Sequence, residues 1–320
     1  MVSTYSEAGV DIDASEKATE ALIAQIKGVN RKGDGEAIKL DNGFAGLVKL
    51  GDGALAMCTD GVGSKLLLAE QMDSIHTVGI DCVAMNTNDL ICVGAEPLSF
   101  VDYVALDKPD EELMAKIGMG LAEGCKLSNC TLSGGETAIL PELVHGFDIA
   151  GTSVGYVKQD KIIDGTKISE GDVLIGLKSS GPHSNGYTLI RKLFDGDKEL
   201  GKKLVEPTRI YVKEVMALIN QVDVHGIAHI TGGGLDNISR INDNFQYVID
   251  NPLPVPSIFD WLQEKGSVED KEMYRTFNMG MGMLIIINKD DAKKSISILG
   301  EHAQIVGSVN SGTGVKHSAL

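Results

Sequence analysis

The chain has 320 residues, more than one hydrophobic core usually serves, so we expect two domains. Its formal net charge of −16 at pH 7 repels phosphate, which argues against nucleic-acid and anionic-membrane binding. Its five cysteines lack C-x-x-C spacing, so neither a disulfide framework nor a structural zinc site is expected. The chain shows no signal-peptide pattern, and its longest apolar run, at 280–288, is too short for a membrane span. We therefore expect a cytoplasmic protein.

The first half alternates strand and helix patterns. A short helix at 18–27 and a loop-like stretch at 28–46 are predicted to precede a strand at Ala54–Cys58 and a helix at Leu66–Met72. The further predicted elements are a strand-like stretch around Ile75–Ile80, a helix at Asp81–Val93, a strand at 99–106, a helix at 110–127, a strand entering a tight loop at 130–137, and a strand at 147–157.

The pattern restarts around 161–173, where two glycines flank polar residues, and this favours a domain junction. We predict one domain at 1–167 and a second at 168–320. In the second, a strand at 172–177 precedes helices at 186–194 and 208–221, and a glycine loop follows at 231–235. Alternating strands and helices predict an α/β or α+β fold in which helices cover sheets.

The segment TDGVGSK at 59–65 lies between a predicted strand and a predicted helix. Glycines permit close approach to a ligand, and a helix start supplies free N–H donors suited to phosphate. Lys65 adds a positive charge, and Asp60 offers a carboxylate for Mg²⁺. The spacing is neither the P-loop nor the dinucleotide-binding pattern, and a plain strand-to-helix turn is the alternative.

The segment DCVAMNTND at 81–89 places two carboxylates, Asp81 and Asp89, and the amide of Asn88 on one helix face. Clustered carboxylates repel one another unless a cation joins them, so this face is a candidate metal site. The alternative is a solvated acidic face. Glu136, in SGGET at the end of an apolar strand, is a further candidate ligand, with a simple turn as its alternative.

Two later glycine loops are candidate anion cradles. In SSGPHSNG at 179–186, His183 is a candidate proton donor or orienting group, and a capped helix start is the alternative. In HGIAHITGGG at 225–234, the two histidines lack the acid of a H-E-x-x-H zinc site. Three consecutive glycines after a strand indicate a close ligand or a close backbone contact.

Together these segments resemble the cyclo-ligases of purine synthesis, in consistent order from residue 8 to residue 283. The matching stretches are AGVDIDA, TDGVGSK, GIDCVAMNTNDL, GAEPLSFVDY, GGETA, DVLIGLKSSGPHSNGYTLIRK, PTRIYVKEV, DVHGIAHITGGGL and MYRTFNMGMGM. The resemblance implies two α/β domains, with the N-terminal domains pairing into a dimeric β-barrel and the C-terminal mixed sheet flanked by helices. It also implies a homodimer that acts on a small molecule and binds neither nucleic acid nor membrane.

The reaction implied by the resemblance converts formylglycinamidine ribonucleotide and ATP into aminoimidazole ribonucleotide, ADP and phosphate, with Mg²⁺. An amide oxygen is a poor leaving group, and phosphoryl transfer to it creates a good one. An internal nitrogen can then attack the activated carbon and close the ring. Because this attack is intramolecular, the enzyme mainly needs to position the reactants and neutralise charge. No serine or cysteine nucleophile is needed.

Residue roles follow from the resemblance in four groups. The implied metal ligands are Asp60, Asp81, Asp89 and Glu136. The implied nucleotide contacts are Lys27, Gly61, Gly63, Ser64, Lys65 and Asn88. The implied substrate contacts are His183, Ser184, Asn185, Gly186, Thr231, Gly232, Gly233 and Gly234. The implied catalytic groups are Asp60, His183 and His229.

The chain departs from the family pattern at three places. Ser64 stands where threonine is usual, the glycine-rich segment before it is shortened to DNGFAGL, and Ile139-Leu140-Pro141-Glu142 replaces Glu-Met-Pro-Gly, which removes a carboxylate.

Related enzymes that make selenophosphate, phosphorylate thiamine phosphate or mature hydrogenases are alternatives. The first would carry a reactive cysteine early in the chain, whereas the first cysteine here is Cys58, in a predicted buried strand. The last would end in a reactive cysteine, whereas this chain ends in KHSAL. A non-catalytic nucleotide-binding protein that kept the fold is a further alternative, which the retained carboxylates disfavour.

Overall fold

Two six-stranded sheets, one from each half of the chain, organise the fold. A computed structural model describes residues 12–26, 28–40 and 43–319. Each sheet is mixed and is covered by helices, so the predicted α/β (α+β) class is confirmed.

The first sheet has the strand order β1-β2-β3-β6-β4-β5. Its described elements are α1 (Ile12–Ile26), β1 (Ala37–Ile38), β2 (Gly46–Leu50), β3 (Gly53–Gly61), α2 (Lys65–Gln71), α3 (Ile75–Cys92), β4 (Glu96–Leu106), α4 (Glu111–Leu127), β5 (Thr131–Ile139) and β6 (Phe147–Lys158). All neighbouring strands are antiparallel except β4 and β5, which are parallel and are joined by the crossover helix α4.

The second sheet has the strand order β12-β9-β11-β7-β10-β8. Its elements are β7 (Val173–Lys178), α5 (Tyr187–Leu193), α6 (Lys198–Leu204), α7 (Val212–Ile219), β8 (Val224–His229), β9 (Phe245–Ile249), α8 (Ser257–Gly266), α9 (Asp270–Thr276), β10 (Met281–Ile287), α10 (Ala292–Leu299), β11 (Ala303–Ser311) and β12 (Gly314–His317). Every residue of β10 is buried, as expected for an apolar central strand between two antiparallel neighbours.

Helix α3 lies between the two sheets. It packs on β3 and β6 of the first sheet and on β8 and α7 of the second. Its polar side chains Asp81, Asn86 and Asn88 are therefore fully buried, so the predicted solvated acidic face does not form, and Asp89 on the same helix is half-buried. Buried polar groups require partners, and these partners define the candidate site.

The strand predicted around Ile75–Ile80 is wrong, because these residues form the first turns of α3. Apolar runs that are buried on both sides have no periodicity that separates a helix from a strand. The tight loop predicted at 133–137 is also wrong, since these residues continue β5. The helix predicted from 208 begins only at Val212, because residues 206–211 run without helix along α3.

Strands of the first sheet lie between Ala37 and Lys158, and strands of the second lie between Val173 and His317. The domain junction at 167/168 stays a prediction. The first sheet has one face against α3 and α4 and a second, outer face that exposes apolar side chains, among them Met57, Val101 and Tyr103.

Candidate active site

Two carboxylates from different elements meet beside the end of β3. The Oδ1 of Asp60 accepts a hydrogen bond from the backbone N–H of Gly61 at 2.7 Å. Asp89 on α3 accepts from Nδ1 of His229 at 2.8 Å, and the half-buried thiol of Cys58 lies 3.7 Å from its Oδ2. Burial raises the pKa of Asp60, and the nearby charge of Asp89 raises it further. A carboxylate whose ionised form is disfavoured by burial and by a neighbouring carboxylate is suited to bind a cation.

Asp102 is a third carboxylate on this side of the sheet, and the motifs did not reveal it. Gly151 pairs with Asp60 on one side and with Asp102 on the other, and Asp102 pairs in turn with Gly135. Residues in register share a face, so both carboxylates face α3. Burial raises the pKa of Asp102. The signal that could have found it is the alternation of β4, which puts Asp102 on the same face as Phe100.

The chemistry of these donors fits Mg²⁺, which is usually held through one or two carboxylates together with water and substrate phosphates. Asp60 and Asp89 can supply such ligands. Within the described part of the chain, no group of three or more histidine, cysteine or acidic side chains is arranged to hold a metal by itself. A nucleotide's phosphate oxygens would therefore have to complete the coordination.

Glu136 is not brought together with Asp60. It is in register with Tyr103 and, across the sheet, with Gly61, so its side chain leaves the outer face of the first sheet. Its Oε1 accepts from the N–H of Thr137 at 2.9 Å. The expectation that Glu136 joins the same metal cluster is not met in this chain, because neighbouring residues of a strand point to opposite faces.

Lys65 and Asp81 are both fully buried and bind each other. The ammonium lies 2.9 Å from each carboxylate oxygen, hydrogen-bonds to Oδ1, and donates also to the carbonyls of His183 at 2.9 Å and Glu206 at 2.7 Å. Oδ1 of Asp81 accepts from the N–H and the hydroxyl of Thr208, each at 2.7 Å. The sequence expectations of a phosphate contact at Lys65 and a metal ligand at Asp81 need correction, since neither group is open to a ligand.

Asn88 has a similar internal role. Its amide nitrogen donates to the carbonyl of Arg209 at 2.9 Å, and its oxygen accepts from the N–H of Tyr211 at 3.0 Å. The amide nitrogen also lies 3.4 Å from Nε2 of His229. The expected nucleotide contact at Asn88 is therefore also corrected, because both ends of the amide bind residues of the second half.

The glycine loop after β3 has room for a ligand. Gly63 has φ +69°, a left-handed conformation that favours glycine, and no atom lies within 4 Å of where its Cβ would be. Ser64 precedes α2, and its hydroxyl lies 3.3 Å from that of Thr188 on α5. Helix α2 begins at Lys65, directly after this loop, and the N–H of Leu66 donates to the carbonyl of Gly63 at 3.2 Å. Lys27, expected to contact the nucleotide, lies outside the described residues.

The loop Ser179–Gly186, which we name the histidine loop, is held by contacts within it and by hydrogen bonds to distant parts of the chain, such as that from the ammonium of Lys65 to the carbonyl of His183. His183 is fully buried with φ +61°, and its Nε2 accepts from the N–H of Ser180 at 3.2 Å. Its Nδ1 is buried with no hydrogen-bond partner. Burial, followed by the nearby charges of His229 and Lys65, holds the pKa of His183 well below its usual range. The imidazole is therefore neutral near pH 7.

The two loops of the second half lie side by side. The side-chain oxygen of Asn185 would lie 3.1 Å from a Cβ at Gly232. The hydroxyl of Ser184 lies 3.0 Å from that of Thr208. At Gly234, φ is +56° and a Cβ would collide with the carbonyl of Tyr274, so backbone packing explains this glycine.

The remaining members of the expected substrate set belong to the same two loops. Gly186 has φ +77° and directly precedes α5, and a Cβ there would strike the ring of Phe277. Gly233 has φ +95° and Thr231 is half-buried. Their roles as substrate contacts stay predictions.

None of the described helices combines the length and the apolar character needed to cross a membrane. Residues 42–157 match the family model "AIR synthase related protein, N-terminal domain", and residues 169–319 match "AIR synthase related protein, C-terminal domain". A phosphoribosylformylglycinamidine cyclo-ligase of Methanosarcina acetivorans is 48% identical over 98% of this chain and 97% of its own length.

Solved structures share the fold at low sequence identity. The thiamine monophosphate kinase of Aquifex aeolicus superposes with a TM-score of 0.65 at 15% identity, over 97% of this chain and 98% of its own. Hydrogenase maturation protein HypE in complex with ATP superposes with a TM-score of 0.64 at 17% identity, over 94% and 92% of the two chains. The two family models and the near full-length relative establish that this chain belongs to the AIR synthase related protein family.

Proposed function

We propose that this chain is the ATP-dependent cyclo-ligase that converts formylglycinamidine ribonucleotide to aminoimidazole ribonucleotide, ADP and phosphate in purine biosynthesis. The observation that carries the proposal is 48% identity, over nearly the whole of both chains, to a protein named phosphoribosylformylglycinamidine cyclo-ligase. The related kinase and hydrogenase-maturation structures share only the fold, at 15% and 17% identity, and favour no other reaction.

The backbone N–H groups of Gly63 and Ser64 would hold the nucleotide phosphates, and the open space at Gly63 supports this role. The γ-phosphoryl group passes to the amide oxygen of the substrate, which turns a poor leaving group into a good one. An internal nitrogen then attacks the activated carbon, and phosphate leaves as the ring closes. This attack is intramolecular, so the chain's main task is to hold both reactants in one geometry.

Asp60 and Asp89 would hold the Mg²⁺ that accompanies ATP, and a bound Mg²⁺ neutralises phosphate charge. The position of Asp60 near the end of β3, the closeness of Asp89 on α3, and the raised pKa of Asp60 support this assignment. The histidine loop and Thr231–Gly234 would hold the ribose phosphate and the amidine, because small polar side chains and glycine amides from both loops lie together there.

We further propose that the protein is a homodimer formed through the outer face of the first sheet. Met57, Val101 and Tyr103 on this face are each about 40% exposed, at 38%, 39% and 43%. Exposed apolar side chains that share one sheet face are typical of an interface. We place the enzyme in the cytoplasm, because all five cysteines are free thiols, as in a reducing compartment.

The test is ADP release by the purified protein with ATP, Mg²⁺ and formylglycinamidine ribonucleotide, and with each omitted in turn. We expect release to require the ribonucleotide and to match the aminoimidazole product one to one. Asp60→Asn should abolish turnover with folding retained, whereas Asp52→Asn, in the turn before β3, should not. Turnover with thiamine phosphate or selenide instead would refute the proposal.

A further inference from the structure

The buried pair Lys65–Asp81 connects the two halves of the chain at the candidate active site. Two of the three N–H donors of Lys65 bind carbonyls of the second half, at His183 in the histidine loop and at Glu206. The third binds Asp81. All three donors are therefore used inside the protein, and the ammonium has none left for a phosphate.

Asp81 binds Thr208, which lies two residues after Glu206 in the same segment of the second half. Its Oδ1 accepts from both the backbone N–H and the hydroxyl of Thr208. An ionised carboxylate can only accept, so the hydroxyl of Thr208 must donate to it. The contact of 3.0 Å between the hydroxyls of Thr208 and Ser184 then has one possible direction, in which Ser184 donates to Thr208.

The hydrogen bonds from Ser184 to Thr208 and from Thr208 to Asp81, which we name the relay, fix the direction of the Ser184 hydroxyl, a candidate substrate contact. The hydroxyl hydrogen of Ser184 is directed at Thr208, so its free lone pairs can only accept from a ligand. A substrate group that donates, such as a ribose hydroxyl or an amidine N–H, suits this polarity, whereas a phosphate oxygen does not.

We infer that Lys65 and Asp81 are a positioning pair that holds the histidine loop against the glycine loop after β3 and, through Thr208, presents Ser184 as a hydrogen-bond acceptor to the substrate. The neighbouring contact between Ser64 and Thr188 supports a junction at the same place, because it joins the start of α2 to α5. Backbone carbonyls and a carboxylate satisfy the buried ammonium, so removal of either partner would leave a buried charge without compensation.

The kinetic role rests on the proposed cyclo-ligase activity, whereas the structural role does not. A misplacement of about 1 Å at reacting groups can lower a rate about 100-fold. We therefore expect loss of the pair to raise KM for formylglycinamidine ribonucleotide and to lower kcat, with nucleotide affinity unchanged.

The experiment compares Lys65→Met, Asp81→Asn and the double variant with the wild type. Nucleotide affinity is measured by calorimetry with a non-hydrolysable ATP analogue and Mg²⁺, and loop order is measured by amide hydrogen exchange. We expect faster exchange at 179–188 and 206–211, unchanged exchange in β3, and a double variant less impaired than the sum of the singles.

Thr208→Val tests the relay if the charge variants do not fold. It removes the hydroxyl, and we expect KM for the ribonucleotide to rise about tenfold, as for loss of one hydrogen bond to a charged group. Thr208→Ser restores the hydroxyl and should restore KM. Weaker nucleotide binding in Lys65→Met with unchanged exchange would overturn the inference in favour of a phosphate contact.

Thr208→Val with wild-type KM would overturn the relay. Absence of any turnover in the wild type would count against the proposed function alone, since hydrogen exchange and nucleotide binding still decide whether the pair holds the loop.

Discussion

His229 donates a hydrogen bond from Nδ1 to Oδ1 of Asp89 at 2.8 Å, across 140 residues of sequence and from one sheet to the helix that covers the other. The imidazole is fully buried, and its Nε2 lies 3.4 Å from the amide nitrogen of Asn88. Both nitrogens therefore face protein groups. We propose from this geometry that His229 orients Asp89 as a candidate metal ligand, and the acid–base role that the resemblance implies for His229 stays a prediction.

Replacement of His229 by glutamine should weaken Mg²⁺ use. The carboxylate of Asp89 would lose the partner that orients it, and loss of such a partner typically costs about 10–100-fold in metal affinity or activity. We expect a higher Mg²⁺ concentration for half-maximal ADP release, measured by titration at saturating ATP. Mn²⁺ binding followed by electron paramagnetic resonance gives a second readout.

The matched control is His225→Gln, which breaks a similar bond, between Nδ1 of His225 and Asp172 at 2.7 Å, away from the candidate site. It should leave Mg²⁺ dependence unchanged. Equal Mg²⁺ dependence in His229→Gln and the wild type would exclude the orienting role.

Gly63→Ala should weaken nucleotide binding in addition to lowering the stability of the fold. An alanine in the left-handed conformation costs about 1–2 kcal/mol, and its methyl group would occupy the open space where phosphates would lie. Gly51→Ala is the control, because Gly51 has φ +58°, equally open surroundings and a position in the β2–β3 turn.

We expect similar losses in unfolding free energy for the two glycine variants, measured by urea denaturation. Calorimetry should show weakened binding of an ATP analogue only for Gly63→Ala. Equal nucleotide affinities in the two variants would contradict phosphate binding by this loop.

His183 should make the protein less stable as pH falls. Because burial lowers its pKa in the folded state, the unfolded chain, whose imidazole titrates near about 6.5, binds the proton more tightly. This contribution to stability is present in full above the unfolded pKa and is lost as pH falls below it, by about 1.4 kcal/mol per pH unit at most.

His183→Asn should flatten this dependence between pH 7 and pH 5, since asparagine tolerates φ +61° and does not titrate. The measurement is the free energy of unfolding by urea at several pH values. His302→Asn, at an exposed histidine, serves as control and should keep the wild-type profile. Parallel curves for His183→Asn and the wild type would show that this imidazole does not contribute.

Much of the fold and part of the site follow from local pattern. The glycine loops after β3 and before α5 can be predicted from the sequence, because glycine and small polar residues favour a turn in any tertiary context. Asp60 was found because it ends a strand beside such a loop. The interpretation of α3 is wrong because it considers the helix alone. From the helical pattern Asp81 and Asn88 are predicted to be ligands or solvated groups, whereas packing of the second half on α3 buries both of them.

Partners from distant parts of the chain decide these roles, and one unaligned sequence does not reveal them. Lys65 meets Glu206 across 141 residues, a pairing that no periodicity encodes. Asp102 was missed because its place depends on strand order, which sets Gly151 between it and Asp60.

A charge on the outer face of the first sheet should dissociate the proposed homodimer. In Val101→Glu a carboxylate would replace an apolar side chain that is 39% exposed in the single chain and that would be buried between two copies. Burial of an unpaired charge is costly, so the dimer rather than the monomer loses stability. Light scattering after size exclusion should give twice 34.0 kDa for the wild type and 34.0 kDa for the variant.

Leu143→Glu is the matched control, because it adds the same charge in the loop between β5 and β6, at a side chain that is 79% exposed. This variant should remain dimeric. A wild-type protein that is monomeric at micromolar concentration, or a Val101→Glu dimer, would remove this face from consideration as the interface.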